Sequence, residues 1–323
     1  LRCLILNTTN GGDNWNIQSS VVGHTLYSVN FINYDIGFSV GSRGTVVKTT
    51  NGGGDWEFLS RNVTNVDLWD IFFTDEQSGW AVGGSILKTT NGGSYWQNQD
   101  SLAGVWSVYF VDQNIGWVVG VSGKILKTTN GGSTWIPQIS GITESLYDVH
   151  FVDQYTGWAV GGTILKTTDG GSYWFKQDSL GGGNSVYFLD QNTGWVVGHG
   201  RGKIIKTTDG GAHWYSQTSN VTEYLNSVHF IDHNHGWIVG GDVILNTTNG
   251  GENWSSQISM GNLLGSVFFT DSNNGWAVGS GEYDLGIILH TSDGGTSWDY
   301  QADRISVPLQ SVYFANQNTG WVV

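Results

Sequence analysis

The chain has 323 residues, with 49 Gly, 17 Trp, 2 Pro and only 12% charged residues, far below the usual quarter. A formal net charge of −14, with 13 scattered Lys and Arg, offers no clustered basic surface, so no nucleic-acid partner is expected. No apolar run is long enough to span a bilayer, so no membrane insertion is expected either, and Cys3, the only cysteine, cannot form an internal disulfide.

The chain begins Leu1-Arg2-Cys3 with neither an initiator Met nor a signal peptide, which predicts a mature or partial chain. Leu4-Ile5-Leu6 then reads as a short strand running into Thr-Thr-Asn-Gly-Gly-x-x-Trp. That motif, with Thr or once Ser at its second position and Asn or Asp at its third, occurs eight times. Its acidic or amide residues are Asn10, Asn51, Asn91, Asn130, Asp169, Asp209, Asn249 and Asp293. Its indoles are Trp15, Trp56, Trp96, Trp135, Trp174, Trp214, Trp254 and Trp298, spaced 39 to 41 residues apart until a last interval of 44. A Gly-Trp pair (once Gly-Phe) also occurs eight times, before each later copy and once after the last, with aromatics at Phe38, Trp80, Trp117, Trp158, Trp195, Trp237, Trp276 and Trp321. A Ser/Asp-Val/Ile-x-Phe run comes before that, ending at Phe31, Phe73, Phe110, Phe151, Phe188, Phe230, Phe269 and Phe314.

Within one unit, Val105 to Val111 alternates as a first strand, Asp112 to Gly116 is a turn, and Trp117 to Val119 is a second strand. Lys124 to Thr129 is a third strand, and Asn130-Gly131-Gly132 turns the chain into a fourth near Trp135. The expected fold is therefore all-β: one β-propeller domain of eight four-stranded blades. The units are about 26–63, 64–101, 102–140, 141–179, 180–219, 220–260 and 261–304. Residues 305–323 plus 1–25 make a split blade shared by the N- and C-terminal ends. Closure within the chain is favoured over head-to-tail pairing of these half-blades into a filament.

The Thr-Thr-Asn/Asp-Gly-Gly-x-x-Trp motif resembles the Asp-box (BNR-type) repeat of sialidase-like propellers. Joined to Gly-Trp-Ala/Val-Val-Gly, as at Gly79 to Gly83 and Gly157 to Gly161, it resembles the photosystem II stability/assembly factor-like propeller family. The resemblance covers essentially the whole chain and implies an Asp-box on the hairpin of each blade's two outer strands. Asn replaces Asp in five copies, and Asn can still make the Asx-type turn.

Eight near-identical copies are what blade folding needs, so the Asp-boxes and Gly-Trp aromatics are expected to be structural, and function to lie where copies differ. The Asp112–Gly116 and Asp190–Gly194 turns lack the ligand set of a calcium loop. His229, His233 and His235 cluster in sequence, but their turn positions vary freely between units, so no metal site is expected. No catalytic or cofactor-binding motif is present. The sialidase-like resemblance implies an arginine triad, yet there are five arginines in all: Arg2, Arg43, Arg61, Arg201 and Arg304. Acidic candidates in variable loops are Asp67, Glu144, Glu223, Glu282 and Asp284, with no evident pairing.

The candidate ligand or partner surface is the loop face opposite the Asp-box turns. It comprises Tyr27, Trp69, Trp106 and Tyr147 at one position of four consecutive units, with Arg43, Arg201, Glu282, Tyr283 and Asp284 in the second-to-third-strand loops. The next four units carry Asn184, Asn226, Gly265 and Gln310 at the aromatic position. The four aromatics share strand parity with core Val and Phe, which predicts packing between blades rather than exposure. Asn62-Val63-Thr64 and Asn220-Val221-Thr222 fit the N-glycosylation pattern, as do Asn7, Asn246 and Asn253.

The expected function is a secreted (extracellular or periplasmic), non-enzymatic binding or structural module with a protein or glycan partner and no cofactor. Alternatives are head-to-tail homo-polymerisation, a carbohydrate-active enzyme of the Asp-box type, and an assembly factor for a photosynthetic complex.

Overall fold

The computed structural model describes residues 4–18, 23–59, 64–100, 104–177, 180–259 and 263–323. Cys3, Arg2, Arg61, Asn62 and Val63 lie outside them. The strands form eight antiparallel four-stranded sheets. Blade 3 is representative: Val105–Phe110, Gly116–Gly120, Ile125–Thr128 and Ile136–Pro137, paired in sequence order from the axis outward. The innermost strands of blades 1 to 7 are Leu26–Phe31, Leu68–Phe73, Val105–Phe110, Leu146–Phe151, Ser185–Phe188, Ser227–Phe230 and Leu263–Phe269. With Val312–Phe314 of blade 8 they touch one another in turn and back to the first, closing a ring around a central channel.

Blade 8 is built from both ends of the chain. Ile5–Thr8 pairs with Gly320–Val322 in the register Leu6↔Val322, Asn7↔Trp321 and Thr8↔Gly320. The edges that a head-to-tail filament would need are thus used within the chain.

The Gly-Trp strand is buried along its length because both faces meet a neighbouring blade. Trp117 lies against Phe151 of blade 4 at 3.5 Å between ring centres, nearly parallel, and its Nε1 donates to the Gly170 carbonyl of that blade's Asp-box at 3.1 Å. The same pairs recur as Trp80 with Phe110 and Gly131, Trp158 with Phe188 and Gly210, and Trp321 with Phe31 and Gly52. Phe151 in turn receives the Asp-box Trp174 edge-on at 5.9 Å. The glycine that starts each such strand is required by this packing: a Cβ at Gly116 would be driven into the Phe110 ring. A lysine backs several of these rings, with Lys127 Nζ 5.3 Å from the Trp117 ring centre, and Lys48 Nζ 5.4 Å from that of Phe38 and bonded to the Gly92 carbonyl of blade 2.

The Asp-box explains its own tolerance of Asn. Thr128 Oγ1 donates to Asn130 Oδ1 at 3.0 Å and accepts from Gly132 N–H at 2.7 Å, while Asn130 Oδ1 accepts from Thr134 N–H at 2.9 Å. In blade 5, Asp209 Oδ1 plays the same part for Thr207 and His213 N–H. Both residues use one oxygen for the turn, so amide and carboxylate serve alike.

The second-to-third-strand hairpins alternate. Blades 2, 4 and 6 turn tightly at Gly84-Ser85, Gly162-Thr163 and Gly241-Asp242. Blades 1, 3, 5 and 7 carry longer loops whose apices Arg43, Ser122, His199 and Tyr283 hold left-handed φ values of 55°, 54°, 53° and 61°. A glycine in each long loop (Gly44, Gly123, Gly202 and Gly286) lies against a carbonyl of the linker into the following blade: Thr64, Ile142, Val221 and Val307. The real period of the chain is therefore two blades, a feature the single-blade motifs conceal.

Replacing Trp117 by Phe keeps a ring on Phe151 but leaves the Gly170 carbonyl unbonded, at a cost of about 1–2 kcal/mol, whereas Trp117→Ala empties the interface at about 3–5 kcal/mol. Urea unfolding followed by circular dichroism should show the Ala variant's midpoint shifted at least twice as far as the Phe variant's.

Candidate functional site

The loop face and the innermost strands together form the channel mouth. On the innermost strands of blades 1 to 4, the register against the second strand slips by one residue at Leu26/Ser28, Leu68/Asp70, Val105/Ser107 and Leu146/Asp148. The residue inside each bulge is Tyr27, Trp69, Trp106 or Tyr147; blade 7 makes the same slip at Leu264/Ser266 around Gly265, so the bulge belongs to the blade and the aromatic residue is what distinguishes blades 1 to 4. The bulge qualifies the parity expectation: Val105 and Val108 both enter the core although they lie three residues apart, and Trp106 between them is half-buried, so the four aromatics pack between blades at the rim and not in the core. Trp69 is 41% and Tyr147 38% exposed. Tyr27 stacks on Trp69 at 4.3 Å and Trp106 on Tyr147 at 5.1 Å, giving two aromatic pairs on one half of the mouth.

The other half is polar. Asn184 Nδ2 donates to the Leu225 carbonyl at 3.0 Å and Asn226 Nδ2 to that of Leu264 at 2.9 Å, so these amides tie one innermost strand to the next. Arg43 and Arg201 are both exposed, on loops four blades apart, and Arg43 N–H is capped by Asp67 Oδ1 at 2.9 Å. Glu282 and Tyr283 border a separate recess of about 420 Å³ in blade 7 with Tyr300, Asp303 and Arg304, and Asp284 sits beside it in the same loop. The sequence-derived surface thus divides into the aromatic half-mouth, two single arginines and the blade 7 recess.

One step inside the mouth lie two residues that the sequence reading passed over. Asp70 and Asp148 stand where the other six blades have Ser28, Ser107, Ser185, Ser227, Ser266 and Ser311. Asp70 Oδ2 accepts from Val108 N–H of blade 3 at 3.0 Å, and its Oδ1 from Ile71 N–H at 2.8 Å. Asp148 repeats this with Val186 N–H at 2.9 Å, and Ser107 Oγ donates to it at 3.2 Å. Enclosure by the ring pushes the Asp70 carboxyl up to about 6 and raises Asp148 as well, against the lowering effect of those N–H groups. Two Asp among eight copies of Ser-Val-x-Phe was the available signal.

Deeper still, Phe72, Tyr109, His150, Tyr187, His229, Phe268 and Tyr313 follow one another around the wall at ring spacings of 5.2 to 5.8 Å. Burial lowers His150 and His229 to about 4, so both are neutral near pH 7. His229 is therefore part of the channel wall, while His235 bonds Asp232 at 2.8 Å and His233 approaches Asp190 at 3.5 Å on the turn rim. The three histidines do not converge, and among the described residues no group of three metal-ligating side chains forms. The Asp112 turn is a capped hairpin, its Oδ1 accepting from Asn114 and Ile115 N–H at 2.7 and 2.8 Å.

A family model described as photosynthesis system II assembly factor YCF48 matches residues 182–266, which span blades 5 and 6. Over that stretch the chain is similar to photosystem II assembly factor-like β-propellers. A solved structure described as YCF48 bound to D1 peptide is 19% identical, covers 93% of this chain and 92% of its own, and superposes with a TM-score of 0.59. YCF48 from Cyanidioschyzon merolae is 22% identical over 85% of this chain and 95% of that one, with a TM-score of 0.61. The GH74 xyloglucanase from Xanthomonas campestris is 12% identical over 83% of this chain and 59% of that one, at 0.55. These likenesses establish the shared propeller fold. None of the curated proteins matches the chain.

A raised carboxyl has a defined effect on stability. Asp70 goes from its usual 3.8 unfolded to about 6 folded, so the folded state binds the extra proton between those values and loses stability as pH rises through them. Asp209 and Asp293, held near 2 chiefly by the His213 and Ser297 backbone N–H groups, have the opposite sign and lose their contribution as pH falls below the usual 3.8. Asp70→Asn should therefore melt about 2 °C or more above the parent at pH 7.5, with the gap closing at pH 4, as read by scanning calorimetry.

Proposed function

We propose that the chain is a non-enzymatic binding module that holds a segment of a partner protein across the aromatic half of the channel mouth. The observation that carries this reading is the placing of Tyr27, Trp69, Trp106 and Tyr147 on the bulges of four successive blades, stacked in two pairs at the rim, at a position the other blades fill with Asn, Gly or Gln. Ring stacking within each pair orders the side chains before a partner arrives, which lowers the entropic cost of binding, and Trp and Tyr are the residue types that dominate interface energetics. A propeller of this fold has been described with a peptide bound, which supports a peptide-holding role here by analogy. A sialidase-like enzymatic reading finds less support: Arg43 and Arg201 stand four blades apart and Arg304 lies in the blade 7 recess, so no triad forms among the described arginines.

A phage-displayed library of 12-residue peptides, panned on the intact chain, tests the proposal. Recovered peptides, labelled and titrated by fluorescence anisotropy, should lose tenfold or more in affinity for the Trp69→Ala/Trp106→Ala variant, whose melting temperature should change little. Peptides that bind parent and variant equally would place the docking site elsewhere. Oligosaccharides that bind through Trp69 and Trp106 where no peptide does would reassign the surface to glycans.

A further inference from the structure

The two departures from the repeat at the mouth fall together. In blades 2 and 4, the exposed aromatics Trp69 and Tyr147 are each followed directly by an acid, Asp70 or Asp148. Serine at the same position in six blades shows that the fold does not require a carboxylate there. Nor are these acids neutralised within the chain: among the described residues the ion pairs are three His–Asp contacts on the turns, and none involves Asp70 or Asp148. Their oxygens take N–H groups from the innermost strands, which hold the carboxylates in place without pairing them with a cation, and both residues remain partly exposed. A negative charge that the fold does not need, placed in an enclosed site and left without a counter-charge, calls for one from outside.

We propose that the mouth recognises its partner segment by a Lys or Arg side chain, which passes between the aromatic pairs and sets its cation above Asp70 and Asp148. This deepens the docking role proposed above and rests on it. The ring faces of Trp69 and Tyr147 attract a cation through their quadrupoles, and the two carboxylates supply the counter-charge in surroundings where water screens little. A hydrophobic anchor would gain from the aromatics but would further bury the acids without pairing them. Charge complementarity therefore selects a basic segment, in keeping with the chain's net charge of −14.

The test uses the peptides recovered by panning, with each Lys or Arg replaced in turn by norleucine, on the parent chain and on Asp70→Ser/Asp148→Ser. Ser is the residue already present at this position in six blades; Asp70→Asn/Asp148→Asn provides a second uncharged variant should the Ser form melt early. Peptides that depend on Trp69 and Trp106 should contain Lys or Arg, and one norleucine replacement should weaken binding to the parent tenfold or more. The Asp variants should show the same loss with the parent peptide and no further loss with the norleucine analogue, the signature of a direct pair. Peptides that depend on Trp69 and Trp106 but lack a basic residue, or ignore both the norleucine and the Asp changes, would overturn the cation inference while leaving the docking site intact. Peptides indifferent to Trp69→Ala/Trp106→Ala would remove both.

Discussion

The ring depends on one contact made repeatedly around it: an aromatic ring from one blade lies flat on a phenyl ring of the next and, at six of the eight junctions, is an indole that donates its N–H to that blade's Asp-box carbonyl. Stacking fixes how close consecutive blades approach, and the hydrogen bond fixes their rotation. The innermost strands then have little freedom and close into a wall, with Asp70 and Asp148 bridging neighbouring strands near the mouth. The last blade joins by the same contact, since Trp321 reaches Phe31 and Gly52 of blade 1.

Blade count, strand order and the split blade were all legible because the residues that make them are repeated at fixed spacing. Phe151 and Thr128 do the same job in every copy, and the Trp117 ring stacks in every copy although Phe38 and Trp195 lack its hydrogen bond, so position in the repeat is enough to assign the role. The site was only half legible. Tyr27, Trp69, Trp106 and Tyr147 stood out as a run, but strand parity placed them in the core, because alternation assumes an unbroken ladder and a bulge leaves no mark in hydrophobic pattern. Asp70 and Asp148 were hidden for a different reason. A motif written Ser/Asp absorbs a charge difference as though it were harmless variation, and only the channel geometry shows that Ser is neutral there and Asp is not.

The mouth also illustrates how a repeat scaffold acquires a site without altering its frame. The buried face of each innermost strand stays constant, with Val108 and Phe110 or Val149 and Phe151 in place, while residues facing the channel change freely. Aromatic pairs occupy four blades and strand-to-strand amides two of the other four. Binding chemistry is thus separated from folding chemistry by which way a side chain points, and the destabilising acids are carried by a frame with many redundant interfaces.

The alternation of tight and long hairpins has a consequence for how such a ring can be lengthened, shortened or recombined. Each long loop rests a glycine on the linker entering the next blade, whereas the tight hairpins of blades 4 and 6 meet the next blade through Gly182 and through the Leu264 N–H to Gly241 carbonyl bond, so the junctions alternate in kind. Excising one blade would set two loops of the same kind side by side, one lacking its linker seat and the other crowded. Excising two consecutive blades would preserve the alternation. A graft that keeps this alternation should therefore proceed in steps of about 79 residues, the distance from Gly44 to Gly123 and from Gly123 to Gly202.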